Sequence, residues 1–249
     1  MLSDIGIDGI YVIHAKNGYQ IHEKRIIDLF NANHLDFEFV TDGDPSVFTK
    51  ELLDSYFTEG MLKRWSDGVV SCTLNHLYAY ERMVNNNNRY ALVFENDPFF
   101  LGDFNQNLRK LADEMNSLEK GFIVSIENTS LRYPSYWATK RGKHLYRATH
   151  GRCAGAYLID LEGAKKILED VKKNKCPISI DWYHNFLTRD GVIKIYWAHP
   201  PFVEQGSHNG KLCSTISCKP NSIKRQVKWV LQKTIKRFFK RFIKDKYIY

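Results

Sequence analysis

Cysteine is scarce and unpatterned in this 249-residue chain. The five cysteines, Cys72, Cys153, Cys176, Cys213 and Cys218, are odd in number and form no C-x-x-C pair. That excludes a disulfide framework and a paired-cysteine structural zinc site, and points to cytosolic thiols. Long apolar runs are missing too, since none approaches the roughly 20 residues that cross a bilayer. The opening MLSDIG lacks a basic stretch followed by an apolar core, so no secretory signal is expected. Acids are nearly absent from one region. Residues 223–249 hold ten Lys or Arg against the single acid Asp245, a charge of +9, and the remaining chain nets −1. A neutral body with no recognisable nucleic-acid module argues against a nucleic-acid binder.

What is present argues for a packed fold. An apolar content of 43% and an aromatic content of 14% exclude disorder. The length suits one large α/β domain with a small appendage, placed here at residues 1–220 and 221–249. Residues 10–13 (IYVI), 37–40 (FEFV), 90–94 (YALVF), 121–126 (GFIVSI), 153–159 (CAGAYLI) and 193–198 (IKIYWA) read as buried strands. Helical periodicity marks residues 21–31, 68–84, 104–118 and 161–173. This alternation predicts an α/β domain with a mostly parallel central sheet.

The chemistry concentrates after the strand at 90–94, where Glu95, Asn96 and Asp97 precede Pro98. Proline cannot donate to a ladder, so pairing should end there and leave both carboxylates at the carboxyl end of a parallel strand. Two hard oxygen ligands so spaced can share a divalent cation that clamps a diphosphate, or they are simply the polar end of a strand. The segment 127–150 is aromatic and basic, and would either stack on a sugar ring or pack its aromatics inward. Asp181 stands near a helix start, where capping alone could account for it. His76 is either functional or a buried helix residue satisfied by a backbone carbonyl. The small-residue strand around Gly155 permits close backbone approach or marks a bulge.

Together these residues resemble glycosyltransferase family 25, the bacterial lipopolysaccharide and lipooligosaccharide glycosyltransferases and their collagen galactosyltransferase relatives. The family's G-x-x-x-C-x-x-S-H helix is matched by Gly68, Cys72, Asn75 and His76, and its E-D-D strand end by Glu95, Asn96 and Asp97. Its A-Y-L-I strand, G-A-K-K helix, P-x-D element, V-x-Q and S-T-I match residues 156–159, 163–166, 177–181, 203–205 and 214–216. Two positions depart from the pattern, Asn75 for Ser and Asn96 for the middle acid. If the outer pair binds metal, Asn96 is compatible as an oxygen ligand; if the middle acid is required, metal affinity falls.

The resemblance implies a GT-A-like nucleotide-sugar fold and an inverting, metal-dependent hexosyltransferase. The expected donor is UDP-galactose and the expected acceptor a lipid-linked surface glycan. Glu95 and Asp97, with His208 as third ligand, would hold Mn²⁺ or Mg²⁺. Asp181 is the expected base, ahead of Glu127, and His14, His76, Asn96, Gly155 and Gln205 are expected in the donor pocket. The tail repeats apolar residues at helical spacing between its bases, which suits an amphipathic helix on an anionic membrane or one docked on the domain. The expected location is the inner face of the cell membrane. The alternative is a non-catalytic protein of the same fold that binds glycan or nucleotide sugar.

Overall fold

The structure, a computed structural model, describes residues 2–15, 20–213 and 220–242. The S-T-I match at 214–216 and the tail beyond 242 lie outside the described residues, as do 16–19 after the first strand. In chain order the elements are β1 (Ile7–Ile13), α1 (Gln20–Ala32), β2 (Glu38–Val40), α2 (Lys50–Tyr56), α3 (Glu59–Arg64) and α4 (Asp67–Asn85). There follow β3 (Tyr90–Glu95), β4 (Pro98–Phe100), α5 (Phe104–Asn116), β5 (Phe122–Ser125), β6 (Leu145–Ala148) and β7 (Ala156–Asp160). The chain continues through α6 (Leu161–Asn174), α7 (Ile180–Arg189), β8 (Lys194–Ala198), β9 (Val203–Gln205), α8 (Gly206–Asn209) and α9 (Ile223–Phe238).

Seven strands form one sheet in the order β2-β1-β3-β7-β5-β8-β6. The β1–β2, β1–β3 and β5–β8 pairs are parallel, and β7 and β6 run against their neighbours, so five of the seven strands share a direction. The expected mostly parallel α/β sheet is what the chain forms.

Strand periodicity sorts side chains into two layers. Val93, Tyr157, Ile159 and Ile195 face a core built with Leu74, Leu77 and Ile167 from α4 and α6. Leu92, Phe94, Val124 and Leu158 face the opposite core, with Phe30 of α1 and Phe104, Leu108 and Met115 of α5. Continuing the alternation of β3, Glu95 falls on the α4 side, and that placement decides its partners.

Pairing of β3 in the main sheet ends at Glu95, as the proline suggests, but the chain does not leave sheet structure. Pro98–Phe100 forms β4, which pairs antiparallel with β9 in a separate two-stranded sheet, an arrangement absent from the sequence reading. The strand β6 is also new, since it is embedded in the basic aromatic segment and has no apolar run to announce it. Part of that segment packs inward, as one of the two expectations had it: Tyr133 and Tyr146 are buried, whereas Trp137 is 79% exposed.

The tail begins as the helix α9, started by Ser222, whose side chain accepts from Arg225 N. One side docks on the body, with Trp229 packed on Leu131 and Tyr133, and Lys233 Nζ donating to Glu204 Oε1 at 2.5 Å. Ile223, Val227, Val230, Leu231 and Phe238 remain exposed on the other side. No helix among the described residues is long and apolar enough to cross a membrane.

Candidate active site

The carboxyl ends of β1, β3 and β5 and the amino end of β7 meet at one rim of the sheet, because Ile13 pairs with Glu95, Phe94 with Ala156, and Ser125 with Tyr157. Open α/β sheets place ligands at such a rim. The loop after β3 is held down by Arg25 of α1, which donates to the main-chain oxygens of Asn96 (2.9 Å) and Pro98 (2.7 Å). This clamp fixes the path between the two carboxylates while the Asn96 side chain remains half-buried.

Glu95 is the partly exposed carboxylate of the pair. Its Oε2 accepts from Gln205 Nε2 at 2.8 Å, and its Oε1 lies 3.9 Å from both Cys72 Sγ and His76 Nε2. Asp97 is buried. Its Oδ2 accepts from Ser207 N at 2.8 Å, its main-chain oxygen accepts from Gly206 N, and its Oδ1 is buried with no hydrogen-bond partner. Burial, followed by the nearby charge of Glu95, raises the Asp97 pKa, and His208 opposes that rise. A buried carboxylate oxygen without a donor is costly unless something positive reaches it. Asp97 Oδ1 therefore fits a hard cation, and Glu95 is the adjacent oxygen donor.

The expected triad of Glu95, Asp97 and His208 is not the group that converges most closely. Among the described residues, the ligand atoms of Cys72, His76 and Glu95 lie within 4.8 Å of one another, and Asp97 and His208 fall outside that group. His208 is exposed on α8 and couples to Asp97 through charge.

A chain of side-chain contacts supports the rim from within. Glu127 is completely buried, and its Oε1 accepts from the backbone N–H groups of Gly155 (2.8 Å) and Ala156 (3.3 Å). Its Oε2 meets Thr129 Oγ1 in a very short contact, and Thr129 Oγ1 also reaches Gln205 Oε1 at 2.8 Å. Burial raises the Glu127 pKa to about 8. One hydroxyl proton cannot serve two acceptors. The arrangement is satisfied when protonated Glu127 donates to Thr129, Thr129 donates to Gln205, and Gln205 donates to Glu95. Gly155 lies against this chain, and a Cβ there would stand 2.1 Å from Gln205 Cδ and Nε2. The glycine thus allows Gln205 to reach Glu95.

The remaining predicted residues fall as follows. Asp181 sits half-buried in the first turn of α7, where its Oδ1 accepts from Ser179 Oγ at 2.7 Å. Ser179 holds the N-cap position, so capping does not account for Asp181. Ile180, Tyr183 and Leu187 of α7 pack in the same core as Val93 and α4, so α7 lies on the side of the sheet that Glu95 faces. The charge of Asp181 also raises the pKa values of the Cys72 and Cys153 thiols, after burial and one other carboxylate in each case. His14 is buried with its ring 4.9 Å from that of Phe39 and its Nε2 3.9 Å from Glu23 Oε2, and burial lowers its pKa. His76 is wholly buried. Its Nδ1 pairs with Tyr157 OH at 2.7 Å, a side-chain partner where a backbone carbonyl was one expectation. Asn75, the departure beside it, accepts from Gly43 N at 2.8 Å and so anchors the turn after β2.

Thr129 and Arg25 escaped the sequence reading, and Tyr157 entered it only as part of a buried strand. Thr129 lies only two residues from Glu127, yet nothing in its local pattern reveals a contact with Gln205. Arg25 gave no signal because its role is to bind main-chain oxygens.

The sequence model of glycosyltransferase family 25 (LPS biosynthesis protein) matches residues 8–183. The chain belongs to glycosyltransferase family 25. It is 25% identical over 187 residues to a protein of Haemophilus influenzae named "Putative glycosyltransferase", covering 70% of this chain and 64% of that one. It is 25% identical over 229 residues to a "Glycosyltransferase 25 family member" of Aedes aegypti, covering 82% and 36%. A "Probable inactive glycosyltransferase 25 family member 3" of Bos taurus is 23% identical over 174 residues, covering 67% and 29%. The chain therefore spans less than two thirds of the length of each of these relatives.

Proposed function

We propose that this domain transfers a hexose, galactose from UDP-galactose, onto a lipid-linked surface glycan such as lipooligosaccharide, with inversion at the anomeric carbon. The observation that carries this reading is the unpartnered, buried Asp97 Oδ1 beside Glu95 at the sheet rim, in a chain of this family. Glu95 and Asp97 would hold Mn²⁺ or Mg²⁺, with His208 close to Asp97 as a further donor. When bound, such an ion offsets the charge that builds on a departing nucleoside diphosphate.

The protein's own groups do the rest. Gln205 orients Glu95 through Oε2, and Arg25 fixes the main chain on either side of Asp97. Asp181 is the proposed base. It is half-buried, its Oδ1 is steadied by Ser179 Oγ, and its charge is felt by Cys72, which lies 3.9 Å from Glu95. In a direct displacement its carboxylate would take the proton of the acceptor hydroxyl. Glu127 has no exposed surface and binds the backbone of the β7 entrance, so in this scheme it is a positioning residue. His14, His76, Asn96 and Gly155 complete the rim on which the donor would lie.

The exposed side of α9 supports a membrane role for the tail. Val227, Val230 and Leu231 are each about 60% exposed. On the docked side, Lys233 meets the carboxylate of Glu204. An apolar stripe flanked by lysines fits an anionic lipid surface, where a lipid-linked acceptor would also be found.

The test is release of UDP from a panel of UDP-sugars, with and without Mn²⁺, by the wild type and by Asp97→Asn. The scheme expects Mn²⁺-dependent release, fastest with UDP-galactose, and its loss in the variant together with Mn²⁺-dependent UDP affinity. UDP affinity unchanged by Asp97→Asn in Mn²⁺ would refute it. The second reading, a binding module of the same fold, is favoured by Asn96 in place of the middle acid; it expects UDP binding with no release under either condition.

A further inference from the structure

The group that converges at the rim is chemically unlike a magnesium or manganese site. Cys72 and His76 lie four residues apart on α4 and so share a face of that helix. Glu95, brought to the same side by the alternation of β3, completes the set. Its Oε1 is 3.9 Å from Cys72 Sγ and 3.9 Å from His76 Nε2, and all three ligand atoms lie within 4.8 Å of one another. With zinc bond lengths of about 2.0–2.3 Å, the edges of a tetrahedral site are roughly 3.3–3.6 Å. Small side-chain rotations would close the observed triangle to that size.

Two further observations point to a ligand. His76 is wholly buried, and its Nε2 has no hydrogen-bond partner although it is aimed at the group. Its other nitrogen heads a line of buried contacts: His76 Nδ1 to Tyr157 OH (2.7 Å), Tyr157 OH to Tyr80 OH (2.5 Å), and Tyr80 OH to His184 Nε2 (2.7 Å). Each hydroxyl has one proton, so the line can run in either of two directions. In one, His76 Nδ1–H donates to Tyr157, Tyr157 to Tyr80, and Tyr80 to His184. Nε2 then presents its lone pair to the group. Histidines that bind metals are oriented in this way, by donating their second N–H to an outer partner.

We propose that Cys72 Sγ, His76 Nε2 and Glu95 Oε1 form a site for a borderline-soft divalent cation of the zinc class. Thiolate and imidazole donors select such ions over Mg²⁺ and Mn²⁺. Three protein ligands leave one tetrahedral position for water, and both Cys72 and Glu95 are partly open to solvent. On binding, the S–H bond of Cys72 is replaced by S–metal and the proton passes to solvent. The site shares Glu95 and His76 with the nucleotide-sugar reading, and Cys72 belongs to it alone.

The test is titration of the full chain with Co²⁺ under reducing conditions in excess Mg²⁺. A near-ultraviolet thiolate-to-cobalt band saturating at one equivalent and displaced by Zn²⁺ is expected, with loss of that band in Cys72→Ser. Tyr157→Phe should keep the band but weaken Co²⁺ affinity about 10- to 100-fold, as the loss of an outer partner does. Asp97→Asn should keep both band and affinity, so failure of the nucleotide-sugar scheme and failure of this site are separable. In the wild type, Zn²⁺ should also protect Cys72 from alkylation relative to Cys153 and Cys213, a measurement that does not depend on any variant folding. Absence of the band, its persistence in Cys72→Ser, or equal alkylation of Cys72 with and without Zn²⁺ would overturn the proposal.

Discussion

Replacing Glu127 by glutamine tests the proton arithmetic beneath the rim. In the native protein this carboxyl has its pKa raised by burial from 4.5 to about 8, while it contacts Gly155 N, Ala156 N and Thr129. Glutamine reproduces the protonated form, since its carbonyl can accept from the two backbone N–H groups and its amide can donate to Thr129. The fold and the Thr129–Gln205–Glu95 line should therefore survive the change.

The pH dependence should not survive it. Between pH 4.5 and 8 the native state holds a proton that the unfolded chain has released, so stability falls as pH rises through that window. At 1.36 kcal/mol per unit, the loss attributable to Glu127 between pH 5.5 and 8.5 is about 3 kcal/mol. His184 and His199, each lowered to about 3 chiefly by burial, act with the opposite sign, adding stability as pH rises toward 6.5. Because they are common to both proteins, the comparison isolates Glu127. Urea unfolding of wild type and Glu127→Gln at pH 5.5, 7.0 and 8.5 should show the variant gaining about 3 kcal/mol relative to wild type across the range. A difference independent of pH would mean that native Glu127 is ionised throughout, and the direction assigned to the Thr129 proton would be wrong.

Gly155→Ala should force Gln205 away from Glu95, since the added carbon would stand 2.1 Å from the carboxamide. A loss of about 1–3 kcal/mol in denaturation and weaker UDP binding by calorimetry are expected, and unchanged values in both would contradict the close approach. Val227→Glu with Leu231→Glu, at exposed positions of α9, should leave the melting temperature unchanged and reduce sedimentation with anionic vesicles. Equal sedimentation would remove the membrane role of the tail.

Much of the scaffold was legible because it depends on short-range pattern. Apolar runs marked β1, β3, β5, β7 and β8, and period-two alternation within β3 is enough to send Glu95 to the same side as Val93. The motif around Glu95 and Asp97 was legible for a similar reason, since a strand end followed by proline leaves its acids at a rim. β4, β6 and β9 were not: two are three residues long, the third lies in a basic segment, and each exists only because a partner strand satisfies its backbone.

The site divides along the same line. Local sequence by itself determined that Cys72 and His76 share a helix face, that Glu95 ends a buried strand, and that the tail is basic with apolar residues at helical spacing. Only the tertiary structure decided that Gln205 reaches Glu95 across 110 positions, that Glu127 is buried beneath Gly155, and that His76 meets Tyr157. The physical reason is range. Helix and strand periods are set by backbone geometry within a few residues, whereas a buried hydrogen bond between distant side chains forms only where packing has removed water and supplied a single partner.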